Sequence, residues 1–103
     1  MKKIFYFGKT DKNKGTYTHY FTASNKQEFN AAAEELNNDD NDDVITLEIY
    51  DNAEHKNELA WIMLSFYESC WCFNPHIKSI DDRTKNQLKV ILSDYKYTKM
   101  FEK

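Results

Sequence analysis

Apolar and polar residues alternate in two short stretches at the start of the chain. Within Lys2–Phe7, Ile4 and Tyr6 stand against Phe5 and Phe7, and within Thr16–Thr22, Tyr17, His19 and Phe21 stand against Tyr20 and the threonines. A period of two is the period of a strand, so both stretches read as strands. The polar run Lys9–Gly15 between them, with its Asp, Asn and Gly, reads as the loop of an antiparallel hairpin. The period then changes. Ser24 offers an N-cap with Gln27 three residues on to complete a capping box, and Phe29, Ala32, Ala33 and Leu36 recur at helical spacing, which predicts a helix from about Asn25 to Leu36.

Asn37–Asp43 contains only Asn and Asp and reads as a loop. Val44–Tyr50 returns to a period of two, with Ile45, Leu47 and Ile49 on one face and Thr46 and Glu48 on the other. Leu59–Tyr67 is apolar at every phase and fits a buried strand or a buried helix; Trp61, Ile62, Phe66 and Tyr67 favour the strand. Cys70–Phe73 adds a short strand, Asn74-Pro75 breaks the chain, and a last helix opens near Ser79 or Asp81. Its buried stripe is Leu88, Ile91, Leu92 and Tyr95, and Lys85, Lys89, Lys96 and Lys99 lie on its flanks. The order β-β-α-β-β-(β)-α predicts an α+β fold, an antiparallel sheet of four or five strands with two helices packed on it. At 103 residues the chain is sized for a single domain, 1–103.

Seven Phe, seven Tyr and two Trp supply bulky core material, so a 30 % charged content does not signal disorder. Two Gly and one Pro disfavour a glycine-rich phosphate loop. The apolar run Ile4–Phe7 is too short for a signal-peptide core, and no stretch approaches the length of a membrane span. Cys70 and Cys72 then read as reduced thiols, and the expected location is cytoplasmic.

Charge changes the picture most. Between Gln27 and His55 stand ten acidic side chains, Glu28, Glu34, Glu35, Asp39, Asp40, Asp42, Asp43, Glu48, Asp51 and Glu54, and no Lys or Arg. The segments 1–26, 27–55 and 56–103 carry +5, −10 and +2, so a net charge of −3 hides a strong segregation. Carboxylates on a helix, its following loop and the next strand predict a negative patch that competes for the Lys and Arg grooves of nucleic-acid-handling proteins. With a sequence pI near 5.6, direct nucleic-acid binding is not expected.

Other chemistry is sparser. The run Asn37–Asp42 with Glu48 at its twelfth position half-matches a calcium loop but carries Asp42 where the sharp turn needs Gly. Cys70, Cys72 and His76 are three soft ligands in seven residues, one short of a structural zinc site, and define the alternative of a small metal- or ligand-binding domain near Trp61 and Trp71. A homodimeric accessory protein is the other alternative. The three histidines sit in no catalytic motif, Ser65 and Ser69 lack a nucleophile elbow, and the chain is read as no enzyme and as needing no cofactor.

A short chain rich in Lys, Asn and Asp and poor in Gly and Pro resembles accessory proteins of AT-rich bacteria and their phages, among them the anti-restriction and anti-CRISPR inhibitors of host defence. The stretch Tyr17–Asp51, a strand, then Gln27-Glu28-Phe29 opening a helix, then an acidic loop and strand, is similar to the first module of ArdA-type anti-restriction proteins. That resemblance covers about a third of the chain. It implies a DNA-mimicking inhibitor that occupies a basic nucleic-acid-binding surface of a host protein, such as a defence nuclease, through the ten acidic residues of 28–54.

Overall fold

The computed structural model describes residues 3–11, 16–39, 44–77 and 80–98. Within them run β1 (Phe5–Asp11), β2 (Thr16–Ala23), α1 (Lys26–Asp39), β3 (Val44–Tyr50), β4 (Ala60–Ser65), β5 (Cys70–Phe73), α2 (Asp82–Ile91) and β6 (Lys96–Tyr97). The strands form one sheet in the order β2-β1-β3-β4-β5-β6. All neighbours are antiparallel except β5 and β6, which are parallel.

The α+β class therefore holds, and the sheet is larger than the expected four or five strands and mixed rather than antiparallel. The sixth strand comes from a segment that periodicity assigns to the last helix. That helix stops at Ile91, the N–H of Leu92 still reaches the carbonyl of Leu88, and the chain turns out. Lys96 N–H then donates to Ser69 O (3.3 Å) and Thr98 N–H to Trp71 O (2.9 Å). The free edge of β5 offers these residues a hydrogen-bonding ladder, and Asp94, Tyr95, Tyr97 and Thr98 have little helix propensity to oppose it. Lys96 is consequently a strand residue, not part of a basic helix flank; Lys99 and Ser79 lie outside the described residues.

Strand alternation divides the sheet into two faces. Phe5, Phe7, Ile45, Leu47, Ile49, Ile62, Leu64, Trp71 and Phe73 point to the side on which α1 lays Phe29, Ala33 and Leu36, and α2 lays Leu88 and Ile91. These residues form the core. Phe29 packs on Phe7 (5.1 Å between ring centres), Phe21 (5.9 Å) and Tyr95 (5.4 Å), tying α1 to the first hairpin and to the end of α2. Tyr6, Tyr20, Thr46, Glu48, Tyr50, Trp61, Met63, Cys70 and Cys72 alternate to the opposite face, over which, among the described residues, no helix is packed.

Helix entries are set by side-chain caps. At α1 the cap is Asn25, whose Oδ1 accepts the Glu28 N–H (2.8 Å), one residue later than the Ser24–Gln27 pair expected from sequence. Glu28 closes the box by accepting from Ser24 N–H and Ser24 Oγ–H, each at 2.8 Å. Asn and Ser are comparable caps, and Glu in the third position also complements the helix dipole, which Gln does not. At α2, Asp81 accepts the Thr84 N–H at 2.6 Å.

Candidate functional site

The hairpin between β4 and β5 is where the surface departs most from a solvated one. Phe66 and Tyr67, read with the apolar run 59–67 as buried and by residue type as strand, fall in the turn instead and are 95 % and 99 % exposed. β4 ends at Ser65 because that residue braces the turn. Its hydroxyl bonds to Glu68 O and accepts the Glu68 N–H (2.8 Å), and its own N–H donates to Ser69 Oγ (3.4 Å). Lys96 Nζ holds Glu68 Oε1 from β6 at 3.3 Å. Two adjacent aromatic rings are thus held in water on an ordered turn. Scattered single apolar residues are ordinary on a surface, whereas a pair presented on a braced tip is the form of a binding anchor.

Val44, paired with Ser65 and 47 % exposed, opens β3 beside the tip, and only residues 40–43 separate it from the last residue of α1. That last turn carries Asp39 and no basic residue. Acidic groups at a helix C-terminus oppose the macrodipole, so the chain accepts a small penalty that a nearby cation would relieve.

The acidic residues of 28–54 do not share one face. Glu28 is committed to the α1 cap. Glu34 and Glu35 are exposed on α1, and Glu35 flanks a shallow groove of about 180 Å³ against His19 and Tyr20. Glu48, by strand alternation, lies across the sheet from α1. Asp51 and Glu54 lie past the far end of β3, a strand whose seven residues span about 20 Å. Asp51 is ion-paired with Lys3 (3.4 Å). Asp40, Asp42 and Asp43 lie outside the described residues, as does the side chain of Asp39.

Residues 51–57 fold over part of the helix-free face. His55 sits against Tyr20 (5.3 Å), Tyr50 (5.3 Å) and Tyr6 (6.5 Å). Asn52 ties the loop by bonding Lys56 N–H (3.0 Å) and Lys56 O (3.1 Å). His55 and Asn57 adopt the left-handed region (φ 55° and 62°), where their residue types are enriched.

Two hollows flank this loop. One, of about 500 Å³, is polar and is bordered by Asp51, Asn57, Glu58, Asn74 and His76. The other, of about 440 Å³, lies on the helix-free face over Thr46, Glu48, Trp61, Met63 and Cys70, with Glu58 at its margin. The Glu58 carboxylate accepts from the Trp61 indole N–H and from Asn74 Nδ2 (3.1 Å), and burial pushes its pKa above the usual Glu value.

Cys70 and Cys72 form no disulfide and are buried on the helix-free face, while His76 belongs to the polar hollow beyond the other end of β5. Among the described residues no three His, Cys, Asp or Glu side chains are grouped to hold a metal ion. Among them, too, no helix is long and apolar enough to cross a membrane.

The chain matches no family model, no curated protein and no solved structure. Its geometry therefore carries the functional reading. Phe66 and Tyr67, the apolar anchors, escape a periodicity reading because they continue the apolar run of β4. The signal that marks them is the flanking pair Ser65 and Ser69, spaced to close a short hairpin.

Proposed function

We propose that this domain is a non-enzymatic binding protein that inserts Phe66 and Tyr67 into an apolar recess on a basic, nucleic-acid-handling surface of a partner protein and so blocks that surface. The observation that carries the reading is the pair of fully presented aromatic rings on the braced β4–β5 turn. Burying a Phe side chain contributes roughly 1.5–3 kcal/mol, and rigid aromatics give up little rotamer entropy on binding. The acidic residues that join α1 to β3, with Glu34 and Glu35, supply long-range attraction and orientation rather than the bulk of the affinity. The reading keeps, of the acidic residues expected over 28–54, Glu34, Glu35 and those between α1 and β3. A partner with a Lys- and Arg-lined groove is the complementary surface, and a host defence nuclease is the partner class that the composition favours.

The test is capture from a lysate of the source cells by the wild-type domain and by a Phe66→Ser/Tyr67→Ser variant, at about 0.1 M and 0.5 M salt. A captured nucleic-acid-handling protein that is lost from the variant, weakened at the higher salt and displaced by DNA supports the proposal. Equal capture by the variant sinks the anchor role. Capture that DNA fails to displace removes the basic-groove partner.

A further inference from the structure

The helix-free face is only half covered. Over β1, β2 and the end of β3, the loop 51–57 places His55 against Tyr6, Tyr20 and Tyr50. Over β3, β4 and β5, the described residues leave a groove of about 440 Å³. Its floor is built by register: Thr46 lies beside Met63, Glu48 beside Trp61, and Met63 beside Cys70, all alternating to this face. The volume is within the range of ligand-sized sites.

The lining has a definite chemistry. Among the described residues it contains an indole, a thioether, a thiol, a threonine, an isoleucine and two carboxylates, Glu48 and Glu58, and no Lys, Arg or His. Trp61 is 37 % exposed, and its N–H is directed to Glu58, whose second tether is Asn74 Nδ2 at 3.1 Å. The indole and the Glu58 carboxylate are therefore positioned before any ligand arrives. A flat cation with an apolar stem answers each feature. A guanidinium stacks on an indole, donates in pairs to carboxylates and is more weakly hydrated than an ammonium, so it gives up less on entering a half-buried groove.

We propose that this groove receives an arginine side chain of the bound protein, its guanidinium over Trp61 with Glu48 and Glu58 as acceptors and its stem along Met63 and Thr46. Cys70, at the groove wall, directly follows the turn that carries Phe66 and Tyr67, so one partner surface spans both. The inference rests on the binding-protein reading for the source of the arginine, but the groove itself is tested without a partner.

The experiment is an NMR titration of the ¹⁵N-labelled domain with N-acetyl-arginine amide, beside the lysine analogue and the uncharged citrulline analogue. The expected result is saturable binding of the arginine compound, with shifts confined to β3, β4, residue 58 and the Trp61 indole N–H. The lysine analogue binds more weakly and citrulline does not bind. Glu58→Gln weakens the arginine compound by about tenfold, the size of one charge-assisted hydrogen bond. Because Glu58 is half-buried, Glu48→Gln is run beside it as a second, independent variant with the same expected direction. Equal binding of citrulline and arginine, no saturation with the folded wild type, or full affinity in both Gln variants overturns the proposal. A Phe66→Ser/Tyr67→Ser variant that loses the partner and keeps arginine binding separates failure of the tip from failure of the groove.

Discussion

Glu28 reaches back to Ser24, accepting from both its N–H and its hydroxyl at 2.8 Å, so the first carboxylate of the acidic block serves the fold. Glu28→Ala is expected to lower the melting temperature, whereas Glu34→Ala, at an exposed α1 position, leaves it within the scatter of a surface change of roughly 0.5 kcal/mol. Thermal denaturation of the two variants checks this. Equal melting temperatures would return Glu28 to the binding surface.

Acid should destabilise the protein through three carboxylates whose pKa values are held down. Glu28 is lowered by its hydrogen bonds from Ser24, Asp81 by those from Thr84, and Asp94 by those from Lys26 and Asn30. A pKa lower in the folded state gives stability that is complete above the unfolded value and lost as pH falls through the folded one. For these groups the window lies below the ordinary Glu and Asp values of 4.5 and 3.8. Glu58 has the opposite sign: burial raises it, so its protonation favours the folded state as pH falls. Denaturant melts from pH 6 to pH 3 should show a smaller loss in Glu28→Gln/Asp81→Asn/Asp94→Asn than in wild type. Parallel curves would show that the three hydrogen bonds leave no net linkage.

Trp71 fastens the last strand. Its Nε1–H donates to Tyr95 O (3.2 Å), its carbonyl accepts from Thr98 N–H (2.9 Å), and its ring packs on Tyr97 at 4.7 Å. Trp71→Phe removes the indole donor and leaves a part-buried carbonyl short of its partner, at about 1 kcal/mol. Hydrogen exchange should accelerate at Lys96 and Thr98 while β1 and β3 stay protected. Uniform loss of protection would mean that β6 is not a separable unit.

Phe29 is the side chain on which the first hairpin, α1 and the end of α2 converge, and it is fully buried. Phe29→Ala is expected to cost about 3–5 kcal/mol, read from chemical denaturation. A loss below about 1 kcal/mol would mean that the hairpin and the helices pack independently.

Burial also governs the thiols. Cys70 and Cys72 are enclosed, and burial, helped by the charge of Glu68, raises the Cys70 pKa. A thiol reagent should react slowly with the native protein at neutral pH and release two equivalents once it is unfolded. Fast reaction of one thiol in the native state would expose a reactive cysteine at the groove.

Alternation and helical spacing determined most of the elements by themselves. The first hairpin, the helix over Phe29–Leu36 and the strand Val44–Tyr50 follow from local period, because each must bury one face and the period names it. Ser65 and Ser69 and the acidic run were likewise visible as residues. Tertiary structure alone decided that α2 stops and Lys96–Tyr97 pairs with β5, since a free strand edge outbids weak local preference. It also decided where β4 ends, and so that Phe66 and Tyr67 stand in water rather than in the core. The pleat sent Glu48 across the sheet from Glu34 and Glu35, and brought Glu58 from a polar loop to the edge of Trp61. Charge counted along a chain says nothing of which face carries it, because that is fixed by register between strands distant in sequence.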